Sequence, residues 1–334
     1  MTQLFEYPFE SHYATVDGVR LHYLDEGQGP VIWLMHGNTS WSYLYRKMIP
    51  LLVEAGYRCF VPDLMGFGFS DKPGNESAYS LRKHVELMSK LIQQLGLRDI
   101  VTVGHDWGGP ISLRYAIEHK DNIRTLVLLN TFIERFPANE KERKELDMIT
   151  GPLPPGFTFL FKGGAYSSFL IKYLDVFRKF VWLKWKTGNP SKLLGSGFRR
   201  PVNQRAMENY LKIHDKPTKR AGLASFAKMI PNRKDHHNAA YIDQIRKELE
   251  HWDVPVLVMW ADGDMAWKPD EGARIAQLVP DGEFYLVSNA GHFLQEDAGE
   301  EVARRMIRFM EERNNLCGKR EQRNQMEIPV YQRS

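Results

Sequence analysis

Four short stretches of the chain hold residue types that can do chemistry together. The first is Gly104-His105-Asp106-Trp107-Gly108. It follows a short apolar run and precedes a helical pattern, so it reads as a strand–turn–helix elbow that lifts its central residue above a sheet edge. A turn this sharp strains that residue, and bulky side chains in place of the flanking glycines would clash. Many hydrolases carry Ser at the centre of such an elbow, and this chain carries Asp106. A carboxylate there is a nucleophile that can form an ester. The backbone N–H of Trp107 opens the following helix and can bind developing negative charge.

The second stretch is His36-Gly37-Asn38, at the end of the apolar run 31–35. In an elbow fold, a backbone N–H from this loop, here that of Asn38, completes an oxyanion hole. The third is Asn289-Ala290-Gly291-His292-Phe293, just after the last expected strand. The chain order of nucleophile, acid and histidine assigns His292 as the base. The acid is sought in Ala261-Asp262-Gly263-Asp264. Asp264 is the better choice because it lies beyond the glycine that turns the loop; Asp262 is its rival. Another slot, after the run 126–129, reads Asn130-Thr131 and offers no carboxylate before Glu134.

Elements must position these residues. Strands are expected at 19–24, 31–35, 57–61, 100–103, 126–129, 256–260 and 283–287. Helices are expected at 45–52, 81–95 with Ser80 as N-cap, 111–118, 270–278 and 300–313. Short continuous apolar runs suit strands buried on both faces, and the alternation implies a mostly parallel sheet with helices on both sides. From 133 to 217 the pattern changes to aromatics, basic residues and Pro/Gly breaks, with no strand periodicity. We therefore expect a core from 1–132 and 218–316, a helical cap from 133–217, and a loosely ordered, polar and basic tail from 317–334.

Composition sets outer limits. The 334 residues are 43% hydrophobic and 26% charged, as in globular proteins, and the net charge of +4 gives no case for nucleic acid or an acidic membrane. No apolar run reaches the roughly 18 residues of a membrane span, and the N-terminus lacks a secretory pattern. Two distant cysteines, Cys59 and Cys317, suggest a reduced, cytoplasmic protein. Asp235-His236-His237 lies in a strongly polar stretch and reads as a solvated loop, not a metal site. Arg199-Arg200 reads as a solvated cap edge. The basic stretch 318–323 could mediate assembly or be inert. The sequence is silent on oligomeric state.

HGNTSWSYLYR (36–46), DLMGFGFSDKP (63–73), GHDWGG (104–109) and NAGHFLQE (289–296) together resemble haloalkane dehalogenases. That resemblance implies an α/β-hydrolase fold, with a mostly parallel central sheet flanked by helices and an inserted helical cap. It implies Asp106 as nucleophile, His292 as base, Asp264 as its orienting acid, and Asn38 and Trp107 as halide-binding donors. The partners would be a small apolar halogenated substrate, water and halide ion, with no metal and no organic cofactor. The set is similar to the subgroup whose acid follows the later strand; where another subgroup has Glu, this chain has Asn130. Thr39 stands where the family loop often has Pro.

The chemistry suits these residues. An alkyl carbon–halogen bond has no carbonyl to attack, so displacement by a carboxylate is the route. Weakly basic halide leaves best onto N–H donors in a dry site. The cap aromatics suit an apolar pocket, and Trp182 or Trp185 could add a halide donor. An epoxide hydrolase would share the Asp, His and acid but would need cap tyrosines, for which Tyr166, Tyr173 and Tyr210 are available. A fluoroacetate dehalogenase would want Arg where Trp107 stands. A non-catalytic receptor or a light-emitting oxygenase on the same fold would have no need of halide donors.

Overall fold

The computed structural model describes residues 4–134, 197–231, 235–264 and 266–326, with 314–326 as backbone only. Eight strands form one sheet: β1 (His12–Val16), β2 (Val19–Glu26), β3 (Val31–Met35), β4 (Arg58–Pro62), β5 (Ile100–Asp106), β6 (Ile123–Thr131), β7 (Val256–Ala261) and β8 (Gly282–Val287). Their order is β1-β2-β4-β3-β5-β6-β7-β8. β1, β2 and β4 pair antiparallel, and all other neighbours pair parallel. Every residue of β3, β5 and β7 is buried, which is why these strands read as unbroken apolar runs.

The helices are α1 (Ile49–Glu54), α2 (Leu81–Gln94), α3 (Gly108–Glu118), α4 (Gln204–Lys212), α5 (Ala221–Met229), α6 (Ala239–Leu249), α7 (Pro269–Leu278) and α8 (Leu294–Met326). Ser80 caps α2 as expected, its Oγ accepting from the Lys83 N–H at 3.1 Å. The core between sheet and helices contains Trp33, Trp41, Trp260 and Phe309, all essentially without solvent contact. Burying one such side chain stabilises the fold by about 2–3 kcal/mol over leaving it exposed.

Five details differ from expectation. β1, α5 and α6 have no counterpart among the expected elements. The single helix expected over 45–52 is a short turn, Ser42–Tyr45, followed by α1. Pro50 explains the break, because proline lacks an N–H and is accommodated in a helix's first turn. α8 starts earlier than expected, with a non-helical joint at Ala298, and continues to Met326 into the stretch expected to be loose. That stretch is rich in Glu, Lys, Arg and Gln, which lose little rotamer freedom in a helix, and holds no proline before Pro329.

Among the described residues no strand lies between β6 and β7. Most of the expected cap, including Tyr166, Tyr173, Trp182 and Trp185, lies outside the described residues. No described helix is long and apolar enough to cross a membrane.

Candidate active site

Asp106 ends β5, at a shift in the β5–β6 register. Its φ is +51°, in the left-handed region that L residues avoid. The strain is held by neighbours. Thr131 Oγ1 donates to the Asp106 carbonyl at 2.6 Å. A Cβ on Gly108 would come within 2.2 Å of the Met35 carbonyl, so only glycine lets α3 begin this close to β3.

The loop after β3 reaches the same point. His36 is buried and held at both nitrogens: Nδ1 donates to the Gly37 carbonyl at 2.8 Å, and Nε2 accepts from the Leu64 N–H at 3.0 Å. This fixes the backbone of Asn38, whose N–H donates to Asp106 Oδ1 at 2.7 Å. The Thr39 N–H, a donor that proline would lack, donates to Asn38 Oδ1 at 2.9 Å. That bond commits the amide oxygen and leaves Nδ2 as the donating end, with only a long 3.5 Å contact to the Leu223 carbonyl. Thr39 itself has φ +63°, a value closed to proline.

His292 faces Asp106 from the loop after β8. Its Nε2 lies 3.6 Å from Asp106 Oδ2, and its Nδ1 lies 3.1 and 3.3 Å from the two oxygens of Asp264. The structure thus brings Asp106, His292 and Asp264 into one line. Asp262 points elsewhere, accepting from the Asn289 and Ala290 N–H groups at 3.0 and 3.2 Å. Glu134 is paired with Arg246 and Arg274 and is no rival for the histidine.

Charge follows from this geometry. Burial disfavours imidazolium at His292, but two adjacent carboxylates outweigh it and raise the histidine from 6.5 to about 10. At neutral pH it is therefore protonated beside a free Asp106. Burial likewise penalises the Asp106 charge, yet His292 and the surrounding donors hold its carboxyl below the usual range. His105, the residue before the nucleophile, is fully buried, which lowers it to about 3 and keeps it neutral.

Trp107 lies against Phe226 of α5 and Phe132, with ring centroids 4.8 and 5.0 Å away. Phe132 stacks on Trp267, whose ring lies 5.6 Å from His292. These aromatics line an apolar wall beside the carboxylate. Among the described residues the Trp107 indole N–H makes no hydrogen bond, and it is not one of the sealed indole nitrogens, which belong to Trp33, Trp41 and Trp252. Tyr210 is turned away from such a role. It donates to Glu296 at 2.7 Å, beside Arg46, in a buried ion-pair network.

Sequence reasoning misses two neighbours of the site. Asn130 reads there only as a slot without a carboxylate. Its Nδ2 donates to the carbonyls of Gly291 and His292 at 3.1 and 2.9 Å, and its Oδ1 accepts from the Ala261 N–H at 2.9 Å. His105 Nε2 donates to the same His292 carbonyl at 2.8 Å. The signal was available for Asn130, because a polar side chain ending a buried strand must find partners. Elsewhere, the His236 ring is engaged by the Lys228 carbonyl and the Asn238 N–H.

Residues 30–299 match the family model described as alpha/beta hydrolase fold. The chain is 33% identical to a haloalkane dehalogenase of Psychrobacter cryohalolentis, over 91% of this chain and 93% of that one. It is also 28% identical to a cis-3-alkyl-4-alkyloxetan-2-one decarboxylase of Shewanella oneidensis, over 93% and 91% of the two chains. Among solved structures it is similar to the haloalkane dehalogenase DpaA from Paraglaciecola agarilytica, with a TM-score of 0.70 and 26% identity over 91% and 94% of the chains. The chain belongs to the haloalkane dehalogenase family of the α/β-hydrolase fold.

Proposed function

We propose that this protein hydrolyses haloalkanes to alcohol, halide and a proton through an ester on Asp106. The observation that carries the reading is the line Asp106–His292–Asp264, with the Asn38 N–H on the nucleophile's other oxygen. Asp106 attacks the carbon bearing the halogen; the carbon–oxygen bond forms as the carbon–halogen bond breaks, and the electron pair leaves with the halide. The Asn38 amide and the Trp107 indole receive that halide. Once Asp106 is an ester its charge is gone, and His292 loses one of the two anions that keep it protonated. It releases its proton to solvent, the proton counted among the products, and the neutral imidazole then takes a proton from water, which attacks the ester carbon. The oxyanion formed is held by the Asn38 and Trp107 backbone N–H groups. Collapse releases the alcohol and restores the carboxylate. Asp264 fixes the histidine tautomer and stabilises imidazolium throughout.

Epoxide hydrolysis is not favoured. The family relationship points to carbon–halide bonds, and the one described candidate for an epoxide-protonating tyrosine, Tyr210, is committed to Glu296. A four-membered lactone is a second reading, motivated by the Shewanella relative. Opening such a ring at its saturated carbon is the same displacement, with a carboxylate leaving in place of halide. The buried free thiol of Cys59 supports a cytoplasmic setting.

The test is incubation with 1-bromobutane and with 1,2-dibromoethane, following bromide and acid together beside Asp106→Ala. Equal bromide and acid that disappear in the variant are expected. No bromide, with carbon dioxide released from a dialkyl oxetan-2-one, would replace haloalkane by lactone.

A further inference from the structure

The loop carrying His292 has no regular structure of its own, and Asn289 within it has φ +54°. Its backbone is nonetheless tied at almost every polar group. Part of the tie comes from residues 197–200, which re-enter the described chain ahead of α4. The Phe293 N–H donates to the Gly197 carbonyl at 2.9 Å. Phe198 stacks on Phe293 with centroids 5.0 Å apart. The Arg200 guanidinium donates to the carbonyls of Asn289 and Ser288 at 3.2 and 3.3 Å. The Arg199 guanidinium covers Gly263 in the acid's loop, where a Cβ would come within 2.1 Å of its Nε. Residues read from sequence as a solvated edge thus clamp both loops of the triad.

Asp297 sits at the centre of the clamp. It is buried, and its Oδ2 accepts from the Gly291 N–H and the Arg199 N–H, both at 2.8 Å, while Oδ1 accepts from the Arg200 N–H at 3.0 Å. One carboxylate therefore joins the residue before His292 to the returning chain. We propose that Asp297 is a positioning residue for His292, locking the histidine loop to residues 197–200 so that the imidazole stays between Asp106 and Asp264. The role rests on the reaction proposed above for its effect on turnover. Displacement of halide needs Asp106, Asn38 and Trp107, none of which Asp297 contacts. Ester hydrolysis needs His292 in place. Loss of the clamp therefore slows the second step and spares the first.

The test compares wild type, Asp297→Asn and Arg200→Ala in rapid-mixing assays with 1,2-dibromoethane. Asp297→Asn should keep a bromide burst at the wild-type rate while steady turnover falls roughly 10–100-fold, the scale of a misplacement of about 1 Å. Mass spectrometry should then find alkylated Asp106 accumulating. Burst amplitude counts folded sites, so a folding defect lowers amplitude alone. Arg200→Ala, a partly exposed position, should slow the same step by a smaller factor, about threefold. Equal slowing of both steps, or turnover unchanged in both variants, overturns the proposal. A readout independent of any substrate is the nitrogen NMR titration of the His292 ring. Its midpoint should fall from near 10 in the wild type towards the ordinary histidine range in Asp297→Asn, and an unmoved midpoint also overturns it. Absence of bromide from the wild type would count against the reaction, and the titration would still decide the positioning role.

Discussion

Replacing Asp264 by Asn keeps the shape of the acid and removes its charge. His292 Nδ1 lies 3.1 Å from the nearer Asp264 oxygen. At that separation and an effective dielectric of about 20, the charge pair is worth roughly 5 kcal/mol, or between 10³- and 10⁴-fold in rate. Losing control of the histidine tautomer in Ser–His–Asp enzymes has a similar cost, about 10⁴-fold. The loss should fall on ester hydrolysis, because only that step needs His292 to take a proton from water. Asp264→Asn is therefore expected to release one bromide per site at close to the normal rate and then nearly stop. Rapid quench with ion chromatography for bromide, and mass spectrometry of the Asp106 peptide, read both steps. Turnover within tenfold of wild type would refute the assignment of Asp264. So would loss of the burst itself, since displacement does not use this carboxylate.

Other outcomes follow from the same geometry. Trp107→Phe keeps the ring between Phe226 and Phe132 but removes the indole donor, and should slow the bromide burst about 10²-fold, the usual cost of one preorganised donor; an unchanged burst rate would remove Trp107 from halide binding. His292 is raised from 6.5 to about 10 in the folded protein. Its contribution to stability is thus fully present below about pH 6.5 and is lost as pH rises through about 10. The melting temperature of wild type minus that of His292→Gln should therefore shrink between pH 7 and 10.5, and a gap that widened with pH would contradict the charge assignment. Asp106 has φ +51°. Asp106→Gly should consequently be more stable than Asp106→Ala by about 1 kcal/mol in denaturant melts, both being inactive.

The sequence was most readable where local chemistry forces local structure. The elbow needs glycine two residues to either side of Asp106, so its spacing is visible in a single stretch. The buried strands β3, β5 and β7 are visible because both faces demand apolar residues. What stayed hidden depends on contacts between distant segments. Asp264 and Asp262 are two residues apart in one loop, and only the turn of that loop decides which one faces His292. Asn130, Asp297 and Arg200 each look like ordinary polar residues. Their partners are backbone groups of a loop up to 162 residues away. Thr39 looked like a lost proline, whereas its left-handed backbone and N–H orient the Asn38 amide.

The central claim is that the substrate carbon is transferred to Asp106 before water acts. A single turnover of 1-bromobutane with excess enzyme in ¹⁸O-labelled water tests it most directly. The butanol should carry unlabelled oxygen, drawn from the carboxylate, and the peptide containing Asp106 should gain one ¹⁸O. Label in the butanol after one turnover, with Asp106 unlabelled, would mean that water attacks carbon directly and that no ester forms.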